Sequence, residues 1–226
     1  VRLTTENEDY WEAKYIVDDA LDKWNNGKAK ELTDEQRMIV SCVSPSTRMD
    51  MYWAKKYYNK GCLLQSLPYF KRILYEIKLQ KSTPDSELRD LYNEMNFYIG
   101  FIYMDLKMYE TAYHYLHIAQ RGSSIPAIEE FINCLCNVRD WDALAYIRDI
   151  YERALNSLKE AGDEADDALI YIYRFAKRRL VYRLIVNDDL EEAELMLKEM
   201  IDNGEDAGFA KMELEYIKKL RGEENK

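Results

Sequence analysis

Ile99-Gly100-Phe101-Ile102-Tyr103, followed nine residues after Tyr103 by Ala112 and then by Leu116 and Ala119, sets the reading of the whole chain. Apolar residues recur here at spacings of three and four, the period of a helix. Two such helices are implied, broken near Leu106-Lys107-Met108. The small residues have a physical purpose. Gly100 on the first helix and Ala112 and Ala119 on the second let two backbones approach closely, while Tyr103 and Leu116 fill the space between turns.

The same slots recur along the chain. Trp53-Ala54-x-x-Tyr57 leads to Gly61 and then to Ser66, Phe70 and Ile73. Leu180-Val181-x-x-Leu184 leads to Ala193, Leu197 and Met200. Ala143, Ile147 and Ile150 form the second helix of another unit, with Phe131 in the small slot of its first helix. Internal repetition of this kind resembles the tetratricopeptide repeat family, and the resemblance covers residues 47–204 in about four units. Phe131 departs from the family pattern. The turn positions Gly61, Lys107, Val138 and Asp188 lie 46, 31 and 50 residues apart, where a regular array repeats every ~34. The surplus is helical in pattern, so some helices are expected to be longer than usual. The resemblance implies an all-α fold, an α-solenoid of antiparallel helix pairs wound in a right-handed superhelix.

Outward from these units, residues 5–43 read as an N-terminal helix pair with Ala20 as its small residue, closed at Asn25-Asn26-Gly27. Thr33-Asp34-Glu35-Gln36 reads as a capping box, and Pro45 as a break. Ser82-Thr83-Pro84-Asp85 is expected to open the helix that ends near Leu106, and Asp140 the one that ends at Ala161. Residues 206–221 read as a capping helix before a polar end. No linker interrupts the pattern, so residues 1–226 are expected to form one array.

Composition narrows the function. The 226 residues carry a formal charge of −10, the wrong sign for a phosphate footprint or an anionic membrane surface. Nucleic acid is therefore excluded as a partner. The chain has no apolar run of ~18 residues, so direct membrane insertion is excluded too. Cys42, Cys62, Cys134 and Cys136 form no C-x-x-C pair and read as reduced, buried thiols, which points to the cytoplasm. His114 and His117 share a helix face without a supporting ligand set, so neither a metal nor another cofactor is expected. The acidic groups at 163–167 and 188–192 lie at helix starts, where they complement the dipole. Arg174, Lys177, Arg178, Arg179 and Arg183 read as a solvated face, with a docking patch for an acidic peptide as the alternative. No phosphate loop or nucleophile motif occurs, and no catalytic residue is assigned: the chain does not read as an enzyme.

The resemblance places the first helix of each pair on a concave groove. Met51, Lys55 and Tyr58 would line it first, then Phe97, Phe101 and Met104. Ile128, Ile132 and Leu135 would follow, and Phe175, Arg178, Tyr182 and Ile185 would complete it. These residues form a second apolar face on helices whose pairing slots are already occupied. The expected function is a protein–protein interaction module, an adaptor or complex subunit that holds a protein or peptide segment. The alternative is a regulatory sensor for a short peptide or small ligand. Whether the chain's own ends fill the groove, and its oligomeric state, stay open at this level.

Overall fold

The computed structural model describes residues 2–80, 86–139 and 142–222. Among them the structure is all α, with eleven α-helices and no strand. In order these are α1 (Arg2–Asn25), α2 (Asp34–Ser41), α3 (Pro45–Asn59), α4 (Leu63–Gln80), α5 (Ser86–Asp105) and α6 (Tyr109–Ala119), then α7 (Ile125–Asn137), α8 (Ala143–Ala161), α9 (Asp167–Val186), α10 (Leu190–Asp202) and α11 (Ala207–Leu220). The chain divides into two compact units, Val1–Ala127 and Ile128–Lys226, with the boundary inside α7. In the first, α1 packs on α2, α3 on α4, α4 on α5 and α5 on α6. In the second, α8 packs on α9, α9 on α10 and α10 on α11.

The turns show why the repeat slots are equivalent. Gly61, Lys107 and Asp188 all have left-handed backbone, with φ of 73°, 56° and 65°. Each amide donates to the carbonyl three residues back: Gly61 to Tyr58, Lys107 to Met104 and Asp188 to Ile185. The next amide reaches five back, Cys62 to Tyr57, Met108 to Tyr103 and Asp189 to Leu184, each at 2.9 Å. This pairing satisfies the last carbonyls of the first helix. Five residues beyond each turn residue stand Ser66, Ala112 and Ala193, all fully buried. The left-handed conformation costs roughly 1–2 kcal/mol at Lys107 and Asp188, a cost that Gly61 avoids. The unequal spacing is absorbed by helix length. Helices α4, α5, α8 and α9 run 18 to 20 residues, while α6 and α7 have 11 and 13.

Close approach is most evident at Gly100. A Cβ there would lie 2.6 Å from Leu116 Cγ, so only glycine fits without movement. Ala54, Phe131 and Val181 occupy the same slot in the other units and are buried as well.

The capping box forms as read: the Gln36 amide donates to Thr33 Oγ1 and the Thr33 amide to Gln36 Oε1. Pro45 does more than end the segment before it. It is the first residue of α3, where a missing N–H costs nothing, and Ser44 caps the helix. The thiols differ from expectation. Cys42 and Cys134 are buried, but Cys62 is exposed and Cys136 half-buried; Cys62 directly follows the Gly61 turn, which projects outward. The starts expected at Ser82–Asp85 and Asp140, and the polar end from 223 on, lie outside the described residues. No described helix is long and apolar enough to cross a membrane.

Candidate functional site

Helices α3 and α5 carry a cluster of rings on the face expected to line the groove. The Tyr58 ring meets Tyr98 edge-on at 4.9 Å, Phe70 at 6.1 Å and Phe101 at 6.0 Å. Phe70 stacks flat on Tyr98 at 4.7 Å, and Phe97 adjoins both Tyr98 and Phe101. Phe70 and Tyr98 are buried and anchor the cluster, leaving Tyr58, Phe97, Phe101 and Met104 half-exposed along its edge. Lys55 Nζ donates to the Tyr98 hydroxyl at 2.8 Å and lies 4.5 Å from the centre of its ring.

Beside this edge opens a cleft of about 400 Å³. Asp90, Asn93, Glu94, Phe97 and Tyr98 supply one wall from α5. Ala119, Gly122, Ser124 and Pro126 supply the other. Gly122 permits this: a Cβ would lie 2.9 Å from Asn93 Nδ2. Ser123, in left-handed backbone, carries the chain past it.

The cleft is electrostatically one-sided. Burial raises the Glu94 carboxyl above its ordinary range; Lys55 pulls it back, and Asp34 and Asp90 push it further up. Burial likewise lowers the Lys55 ammonium, opposed by Glu94, Glu35 and Asp34. Tyr98 is raised by burial first and then by the same carboxylates. Three carboxylates, Asp34 and Glu35 from α2 and Glu94 from α5, thus act on one half-buried lysine, and desolvation keeps their field strong.

The other expected groove residues have different fates. Met51 is fully buried, as are Ile132 and Leu135, while Ile128 is half-buried. A partner cannot reach the Met51, Ile132 and Leu135 side chains, which belong to the core. On α9, Phe175 and Ile185 are buried, Arg178 is half-exposed and Tyr182 is exposed. Phe175 is covered by its own neighbours, with Tyr171 stacked on it at 6.1 Å and the Arg179 guanidinium 5.2 Å from its ring.

The basic run does not form a patch. Lys177 is buried, Arg178 faces Asp206 at 3.8 Å, and Arg183 donates to the Cys136 and Val138 carbonyls. The acidic residues lie at helix starts as read: Asp166 caps α9 through the Leu169 amide, and Asp167, Glu191 and Glu192 stand in the first turns of α9 and α10, with Glu192 also paired to Arg148, which was not foreseen. His114 and His117 flank the Tyr113 ring.

The residues missed in the sequence are Asp90, Asn93, Glu94, Tyr98 and Gly122. A signal was available, since Asp90, Glu94, Phe97 and Phe101 follow one another at spacings of four, three and four, a single helical stripe. Compared with known proteins, the chain matches no family model, no curated protein and no solved structure.

Proposed function

We propose that the protein is a non-catalytic interaction module of the tetratricopeptide type, holding a peptide segment of a partner protein along α5. One observation carries this reading: a half-exposed aromatic edge runs beside an open, acid-walled cleft on the same helix. An apolar anchor fits against Phe97 and Phe101, and a lysine or arginine next to it fits Asp90 and Glu94. The acidic wall does not suit a C-terminal carboxylate or a nucleic acid. Cysteines without a disulfide among the described residues are in keeping with a cytoplasmic address. The sensor alternative has less support, because the cleft is open and not enclosed.

Selection of a random displayed peptide library on the purified chain tests the proposal. The expected result is enrichment of sequences that pair an aromatic or aliphatic residue with a nearby lysine or arginine. Phe97→Asp with Phe101→Asp should remove the enrichment and leave the helical circular dichroism unchanged. Equal enrichment on this variant, or none on the parent chain, would overturn the reading.

A further inference from the structure

The two carboxylates that wall the α5 cleft differ in their surroundings. Asp90 is exposed, whereas Glu94, one turn on, is half-buried. The charged neighbours of Glu94 come from three helices. Asp34 acts on it from α2, Lys55 from α3, and Asp90 and the Tyr98 hydroxyl from α5 itself. Glu35 of α2 acts on the same Lys55 and Tyr98. The opposite wall, Ala119, Gly122, Ser124 and Pro126, brings no titratable group. Lys55 is the one cation in this set, and its hydrogen bond goes to the Tyr98 hydroxyl at 2.8 Å. Glu94 thus stands among like charges, partly out of water, with the open cleft before it.

We infer that a proton and the basic residue of the bound segment compete for Glu94, so that the segment is held at neutral pH and released in acid. This competition presupposes the peptide-binding reading above and gives its regulation. Both competitors relieve the same cost. A half-buried carboxylate among like charges is stabilised either by neutralisation or by an opposite charge at contact distance. A lysine or arginine entering the cleft supplies the second. In the free chain burial holds the Glu94 carboxyl above its ordinary 4.5, with Lys55 opposing the shift and Asp34 and Asp90 adding to it. Contact with a cation lowers it again. Binding therefore expels a proton at any pH between the free and bound values, and affinity falls as pH drops through that window. The lysine or arginine of the segment stays charged throughout. His117 of α6 also changes charge on acidification, its imidazole lowered by burial and then by Arg121 and His114. It stacks on Tyr113, however, and does not line the cleft.

Calorimetric titration of the purified chain with the most enriched displayed peptide, from neutral pH down to 4.5, provides the test. Affinity should fall over this range by about tenfold, the factor that corresponds to one pKa unit between the free and bound carboxyl. Repeated in buffers of different ionisation enthalpy, the titration should show release of a fraction of a proton. Glu94→Gln should bind more weakly at neutral pH, with no proton release and a flat pH profile. The parent chain should give an equally flat profile with a peptide whose basic residue is replaced by methionine. A parent profile without pH dependence would overturn the competition and leave the peptide-binding reading standing. A pH dependence retained in Glu94→Gln, or with the methionine peptide, would overturn it too, because the titrating group would lie elsewhere. If no basic peptide is enriched on the parent chain, the reading and the competition fall together.

Discussion

Lys55, half-buried, and Lys177, buried, are both bonded to a tyrosine hydroxyl, one in each unit, yet their environments drive them in opposite directions. Lys55 Nζ has Tyr98 as its hydrogen-bond partner, and its carboxylates act from a distance, so burial prevails and lowers its proton affinity. Lys177 is 1% exposed, and burial again works against its charge. There, however, Glu205 lies 2.8 Å away, Tyr173 3.0 Å and Glu199 3.3 Å, and these bonds outweigh burial and raise its pKa. A buried charge is stable when its partners are in contact with it and costly when they are not. The Lys177 cluster ties α9 to α10 and to the loop before α11, and is complete in itself. The Lys55 cluster is incomplete, with negative field left over toward an open cleft.

Substitutions at the two lysines test this difference first, and two further ones follow in order of falling expected effect. Lys177→Met removes the cation and leaves Glu205 and the Tyr173 hydroxyl without it, so denaturant unfolding should show a loss of about 3 kcal/mol. Lys55→Met removes a cation that has no contacting carboxylate and should cost far less. Equal losses for the two would break the comparison. Because the Lys177 pKa is raised in the fold, its contribution is fully present below the ordinary value of 10.5. It is lost only as pH rises past that value and through the folded one.

Gly100→Val comes next. Valine is native to the same slot in α9, as Val181, but at Gly100 its Cβ would meet Leu116. Overpacking should cost roughly 1–3 kcal/mol in thermal or denaturant melts. A neutral result would mean that the α5–α6 pair is no tighter than its counterpart.

Glu94→Gln has the smallest effect and the opposite sign. Burial holds the Glu94 carboxyl above its ordinary 4.5 in the folded chain. Its ionised form therefore disfavours folding, by an amount that sets in as pH rises from 4.5 and is complete above the folded value. The variant should melt higher than the parent at neutral pH, and the gain should vanish well below pH 4.5. It should also weaken selection for basic residues in the displayed peptides. A variant less stable at neutral pH would show that Glu94 is structural and not strained.

The all-α class and the pairing of helices were legible because they rest on local rules. The helical period, the capping box at Thr33 and the turn at Gly61 depend on residues within a few positions of one another. The equivalence of Gly61, Lys107, Val138 and Asp188 was read from the recurring slots around them, and three of the four share left-handed backbone; Val138 does not, its amide donating four back to Cys134 in the ordinary helical manner. The site was only half legible. Tyr58, Phe97 and Phe101 were placed on the correct face, whereas Met51, Ile132 and Leu135 share the same apolar spacing and lie in the core. Periodicity assigns a residue to a helix face; it does not say what lies against that face.

By itself, then, the sequence determined where helices begin, turn and end, and which slots must be small. Those outcomes follow from backbone hydrogen bonding and from steric fit between chain neighbours, which act over one or two turns. Tertiary structure alone decided which apolar faces stay open. It enclosed Lys177 among Tyr173, Glu199 and Glu205, which lie four to twenty-eight residues away in the chain. It brought the Gly122 turn against Asn93 to form the cleft. It also left Met212, Tyr216 and Leu220 exposed on a helix whose other side is core. Burial and the electrostatic field at a site are sums over neighbours from distant segments, and those neighbours are set only when the helices have packed.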